Sequence, residues 1–68
     1  MVAKEDLESL GFTCGGRLWH LAAGNLNLYY DPREKTLELM QYDSIHVPAD
    51  TVEHLRLWIA AAAAEYAS

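Results

Sequence analysis

Four side chains in this sequence are of the types that hold metals or act as nucleophiles: Cys14, His20, His46 and His54. Zinc modules pair their ligands at short spacings, because two donors from one turn or helix face must converge on one tetrahedral ion. The four residues are scattered singly, with no C-x-x-C and no H-x-x-x-H, so neither a metal nor any other cofactor is expected. A reactive thiol needs a base beside it and a cationic or helix-N-terminal setting that favours the thiolate. Cys14 precedes Gly15-Gly16, whose backbone N–H groups are accessible, but no basic cluster follows and no carboxylate is placed to orient a histidine. The phosphate-loop, dinucleotide-loop and H-E-x-x-H patterns are all missing. A chain this short also has little room for a concave site of its own. The expectation is a non-catalytic protein that works by binding.

Two binding chemistries compete. Tyr29, Tyr42, Trp19 or Trp58 can stack a nucleobase, and Arg17, Arg33 or Lys35 can meet a phosphate. If subunits assemble, such groups form a pocket between them that sequesters a small signalling nucleotide. The plainer account is that any small protein contains a few tyrosines and arginines. Direct binding of nucleic acid is not expected, because it needs a cationic stripe to neutralise phosphates. Ten acids stand against five bases, a net charge of −5, and beyond Thr36 the only base is Arg56.

Length and charge set the class. Sixty-eight residues fit a single domain with one modest core, and at this size only roughly 60% of the unfolded surface is buried. Small scaffolds of this kind add disulfides, a metal or self-association. With Cys14 the only cysteine, a disulfide within the chain is excluded, and a homo-oligomer, most simply a dimer, is expected. A lone thiol fits a reducing compartment. The N-terminal Met1-Val2-Ala3-Lys4-Glu5-Asp6 is charged where a secretory segment turns apolar. The longest apolar run, Leu57 to Ala64, has eight residues, against about 20 for a membrane span. A cytoplasmic protein without a membrane partner is expected.

The elements that position these residues follow from periodicity. A short helix spans about 3–10, with Leu7 and Leu10 on one side. Gly11 then stands where a left-handed residue ends a helix, and Phe12 follows where it can touch Leu7. Gly15-Gly16 opens a strand region. Arg17 to Ala22 is the first segment, and Ala23-Gly24-Asn25 supplies a turn. Leu26, Leu28 and Tyr30 alternate with Asn27, Tyr29 and Asp31, the period-2 pattern of a half-buried strand. Asp31-Pro32-Arg33-Glu34-Lys35 makes a polar turn. Thr36 to Tyr42 alternates again, and Ile45-His46-Val47 resumes until Pro48. The spacing predicts a three- or four-stranded antiparallel meander. The closing helix is capped by Asp50, with Glu53 reaching back three residues later. Its core stripe is Val52, Leu55, Ile59, Ala62, Ala63 and Tyr66, flanked by Trp58, while His54 faces solvent. The fold class is α+β: helix, meander, helix on one sheet face.

Two surfaces remain for partners. Leu57, Ala60, Ala61 and Ala64 repeat at i, i+3, i+4, i+7 opposite the core stripe, a seam where a second helix can approach closely. Alanine is also the best helix former and is at ease in water, which is the simpler explanation. The sheet face turned away from the helix carries Tyr29, Met40, Tyr42 and His46, joined by Trp19 or His20 according to register. Aromatic and methionine side chains anchor interfaces, although cross-strand pairing alone also explains them.

The stretches Asn27-Leu28-Tyr29-Tyr30-Asp31, Ser44-Ile45-His46-Val47-Pro48 and Val52-Glu53-His54-Leu55-Arg56-Leu57-Trp58-Ile59 resemble, in layout, small accessory proteins of phages and prophages. The resemblance covers about half the chain and includes no catalytic motif. It implies an anti-defence role, binding a host or defence protein or a signalling nucleotide.

Overall fold

The computed structural model describes residues 2–66, with the side chains of 65 and 66 outside the description. Its elements are α1 (Lys4–Leu10), β1 (Thr13–Gly15), β2 (Leu18–Ala23), β3 (Leu26–Asp31), β4 (Thr36–Met40), β5 (Ser44–Pro48) and α2 (Val52–Tyr66). The class is α+β, but the sheet has five strands, not three or four. The additional strand is β1, three residues exposed along their whole length. It pairs with β2 because Gly16, at φ 88°, takes the first place of a two-residue turn between Gly15 and Leu18. A positive φ there matches the twist of the flanking strands and favours glycine.

The strands lie in sequence order, each antiparallel to the one before. Because side chains alternate along a strand, the register sorts them into two sets. One face carries Trp19, Leu21, Leu26, Leu28, Tyr30, Leu37, Leu39, Ile45 and Val47; the other carries His20, Asn27, Tyr29, Glu38, Met40 and His46. The choice between Trp19 and His20 is thereby settled. Trp19 belongs to the core and His20 to the opposite face.

Both helices contribute to the first face, where Leu7, Phe12, Leu55 and Ala62 join the sheet residues in one buried cluster. α1 stops as its sequence demands. Gly11 adopts φ 101°, its N–H donates to the Glu8 carbonyl at 3.1 Å, and the Phe12 N–H donates to the Leu7 carbonyl at 3.0 Å. Leu7 and Phe12, which this Schellman arrangement brings together, are both buried.

α2 departs from expectation at its start. Thr51, not Asp50, is the cap: its Oγ1 accepts the His54 N–H at 3.1 Å. In a helix whose first residue is Val52, Thr51 holds the position from which a side-chain oxygen reaches the free N–H groups of the first turn. Glu53 instead pairs with Arg56 at 2.8 Å on the surface. Leu55 and Ala62 are buried and Val52, Trp58 and Ile59 half-buried, as the stripe requires. Ala63 is exposed, contrary to its placement in the stripe. Eight positions past Leu55, rotation of 100° per residue carries it to the rim. The Tyr66 side chain lies outside the described residues. His54 is half-buried beside Trp58, with ring centroids 6.0 Å apart, so it does not face open solvent.

Two hydrogen bonds tie the segment before α2 to the core. The Trp58 indole N–H donates to the Pro48 carbonyl at 3.2 Å, and the buried Tyr30 hydroxyl donates to the Ala49 carbonyl at 2.8 Å. Burial pushes the Tyr30 phenol above its ordinary pKa, and the negative charges of Asp50 and Asp31 push it further in the same direction. Ile45 lies on the helix-bearing face, yet it is 52% exposed. α2 packs against β2, at the far side of the sheet from the β5 edge. Among the described residues no helix is long and apolar enough to cross a membrane.

Candidate functional site

The open sheet face is organised in cross-strand rows. The central row runs Thr13, His20, Tyr29, Glu38, His46, one residue from each strand in direct register. Beside it stands the row Ala22, Asn27, Met40, Ser44. Directly opposed residues on one face approach closely enough for their side chains to interact, and here they do. The His20 ring stacks on Tyr29 with centroids 5.0 Å apart and planes at 29°. Its Nε2 lies 2.8 Å from Asn27 Oδ1. One strand further, Glu38 Oε2 accepts a short hydrogen bond from the Ser44 hydroxyl and lies 3.8 Å from His46 Nε2. That last contact is an ion pair only when the imidazole is protonated.

Along the strands, on the side of the central row away from Asn27 and Met40, lies the β3–β4 turn. Asp31 builds it, its Oδ1 accepting the Arg33 N–H at 2.9 Å and the Glu34 N–H at 3.4 Å, while its carbonyl accepts the Lys35 N–H at 2.8 Å. Turn and sheet together enclose an open concavity of about 300 Å³, lined by Leu18, Tyr29, Asp31, Glu34, Thr36, Glu38 and His46. Three of those seven side chains are carboxylates and none is lysine or arginine.

Of the residues expected to meet a partner on the sheet, Tyr29, Met40 and His46 share this face. Tyr42 does not sit among them. It stands 93% exposed in the bend between β4 and β5, lining a separate hollow with Leu26, Leu39, Gln41, Asp43 and Ile45. The face also holds His20, one of the two residues that register was expected to place here, and Asn27, Asp31 and Glu38, which sequence reasoning passed over as the solvated half of each alternation. Taking those polar positions in register across the strands would have assembled the row.

The helix seam is a separate surface. Leu57, Ala60, Ala61 and Ala64 are all exposed on the outer side of α2, Leu57 at 69%. The nucleotide set is divided. Trp19 is buried in the core, because β2 register turns it toward the helices, so its ring is closed to a base. Trp58 is half-buried with its N–H engaged. Arg17 and Arg33 are exposed in the β1–β2 and β3–β4 turns, outside the residues lining the concavity.

The thiol and the imidazoles do not converge. Cys14 is opposite Trp19 and therefore lies on the helix-bearing side, whereas His20, opposite Thr13, lies on the other. His46 is three strands away from β2 on β5, and His54 is on α2. The Cys14 thiol instead contacts the Gly16 carbonyl at 3.5 Å.

A comparison with protein-family models, with curated proteins and with solved structures finds no match.

Proposed function

We propose that this chain is a non-catalytic binding module that engages a partner protein through the open face of its sheet. The observation that carries the reading is the central row: an aromatic side chain flanked by two histidines and a carboxylate, on a face that neither helix covers. A tyrosine amid polar groups on a rigid sheet has the composition of an interface anchor, since it offers contact area at low entropic cost. The partner class is a host or defence protein, as the resemblance to phage accessory proteins implies, and the chain acts as a cytoplasmic inhibitor by occupying that protein's surface. Cys14 and His20 on opposite sides of one sheet favour binding over thiol chemistry. The nucleotide reading has less behind it, because the concavity is lined by carboxylates that repel phosphate and Trp19 is buried. Self-association belongs to the outer side of α2, with Leu57 as the bulky member of the seam.

One experiment addresses both surfaces. A photo-cross-linking phenylalanine analogue is placed at position 29 or at position 61, and each chain is irradiated in the cells that make it. The expected outcome at 29 is one discrete adduct with another protein. At 61 it is an adduct of twice the 7.6 kDa chain mass, abolished by Leu57→Glu. A silent position 29 removes the sheet face from function, and a purely monomeric position 61 removes the seam.

A further inference from the structure

On the premise that the open face receives a protein, its chemistry specifies what that protein brings. We infer that the concavity between Tyr29 and the β3–β4 turn takes an arginine side chain of the partner. The concavity offers Leu18 and the Tyr29 ring as apolar and aromatic surface, with the carboxylates of Asp31, Glu34 and Glu38 around them. Glu38 is central. Its side chain is only 21% exposed; it accepts the Ser44 hydroxyl, and the one basic side chain beside it among the described residues is His46, 3.8 Å away. Among the described residues no lysine or arginine lies within ion-pair distance of Asp31, Glu34 or Glu38.

A carboxylate held partly out of water without a permanent cation is incompletely compensated, and a cation delivered by a partner restores that compensation. Arginine fits better than other cations. Its planar guanidinium stacks on an aromatic ring and presents a fork of donors to carboxylates at the same time. Tyr29 has room for this. His20 stacks on it from β2, yet His20 is not among the residues lining the concavity, which extends from Tyr29 across β4 and β5. Charge complementarity therefore selects the occupant: a basic segment of a protein, approaching a chain of net charge −5.

The test is a nuclear magnetic resonance titration of the isotope-labelled full chain at low salt, using a blocked Ala-Arg-Ala-Arg-Ala peptide as probe. The expected result is saturable movement of the Tyr29, Glu38 and His46 amide signals. The same peptide with citrulline, which keeps the shape and loses the charge, is expected to leave them still. Glu34→Gln with Glu38→Gln is expected to weaken the arginine peptide by about tenfold. Glu34→Gln alone, at an exposed side chain with no hydrogen bond to lose, serves as the variant that cannot fail by unfolding. An unmoved sheet face, equal binding of the citrulline peptide, or unchanged binding by the variants overturns the inference. In cells the two levels separate. If the cross-linked adduct at position 29 survives Glu34→Gln with Glu38→Gln, the arginine is lost and the binding face stands. If the unaltered chain gives no adduct there, the face itself fails.

Discussion

On the helix-bearing side of the sheet, Leu28, Leu37 and Tyr30 are almost completely buried, and the single polar group among them, the Tyr30 hydroxyl, is bonded to Ala49. On the open side, His20, Tyr29 and Glu38 are half-buried: His20 stacks on Tyr29 and bonds Asn27, while Glu38 accepts from Ser44 and lies beside His46. The same strands supply both sets, so the difference lies in what each face is required to do. The covered face excludes water and specifies the register, because a slip of one residue would turn its leucines outward. The open face is dispensable for that purpose. Several of its groups bond one another locally, which lets them persist without a covering layer, although its carboxylates have no lysine or arginine at ion-pair distance among the described residues.

The comparison breaks most sharply at Leu28. Leu28→Ala leaves a cavity at the centre of the covered face and is expected to cost about 2–5 kcal/mol. A chain of this size has a total stability on the order of 5 kcal/mol, so urea denaturation should show the variant largely unfolded or nearly so. Tyr30→Phe is a milder test of the same face. It strips the Ala49 carbonyl of its partner, an expected loss of roughly 1–3 kcal/mol. It carries a pH signature as well. An unfolded tyrosine releases its proton near pH 10.0, while folded Tyr30 holds it to higher pH. Above that point the unfolded state has fewer bound protons than the folded state, so stability falls as pH rises. Thermal melts of the unaltered chain should lose stability through that alkaline window, and Tyr30→Phe should lose less of it. Tyr29→Ala is the smallest effect on folding, expected below about 1 kcal/mol. It should nevertheless abolish the arginine-peptide shifts. A large loss of stability at Tyr29 would mean that the two faces are not independent.

Much of the covered face is legible in the sequence. Leu26, Leu28 and Tyr30, then Leu37 and Leu39, announce their strands by period-2 alternation, and Gly11 with Phe12 announces the end of α1. β1 was illegible because Thr13-Cys14-Gly15 buries nothing and has no apolar period to detect; only its pairing with Leu18, Trp19 and His20 defines it. The cap of α2 was misplaced by one residue because Asp50 and Thr51 are both good caps, and the choice depends on where the first helical turn closes. The open face was half legible. Tyr29, Met40 and His46 stand out by residue type, while Glu38 gains its meaning from lying between Tyr29 and His46, a fact of register that no single strand contains.

The meander has one more consequence, for biosynthesis. Every strand pairs with the one made just before it, so the sheet needs no distant segment and can form hairpin by hairpin as the chain emerges. α2 follows all five strands, and at ribosomal rates its 15 residues take on the order of a second to be added. For that interval the leucines of β3 and β4 lack the cover that Leu55 and Ala62 of α2 bring to the cluster. A nascent-chain holdase therefore has a brief target on the very face that the finished protein hides.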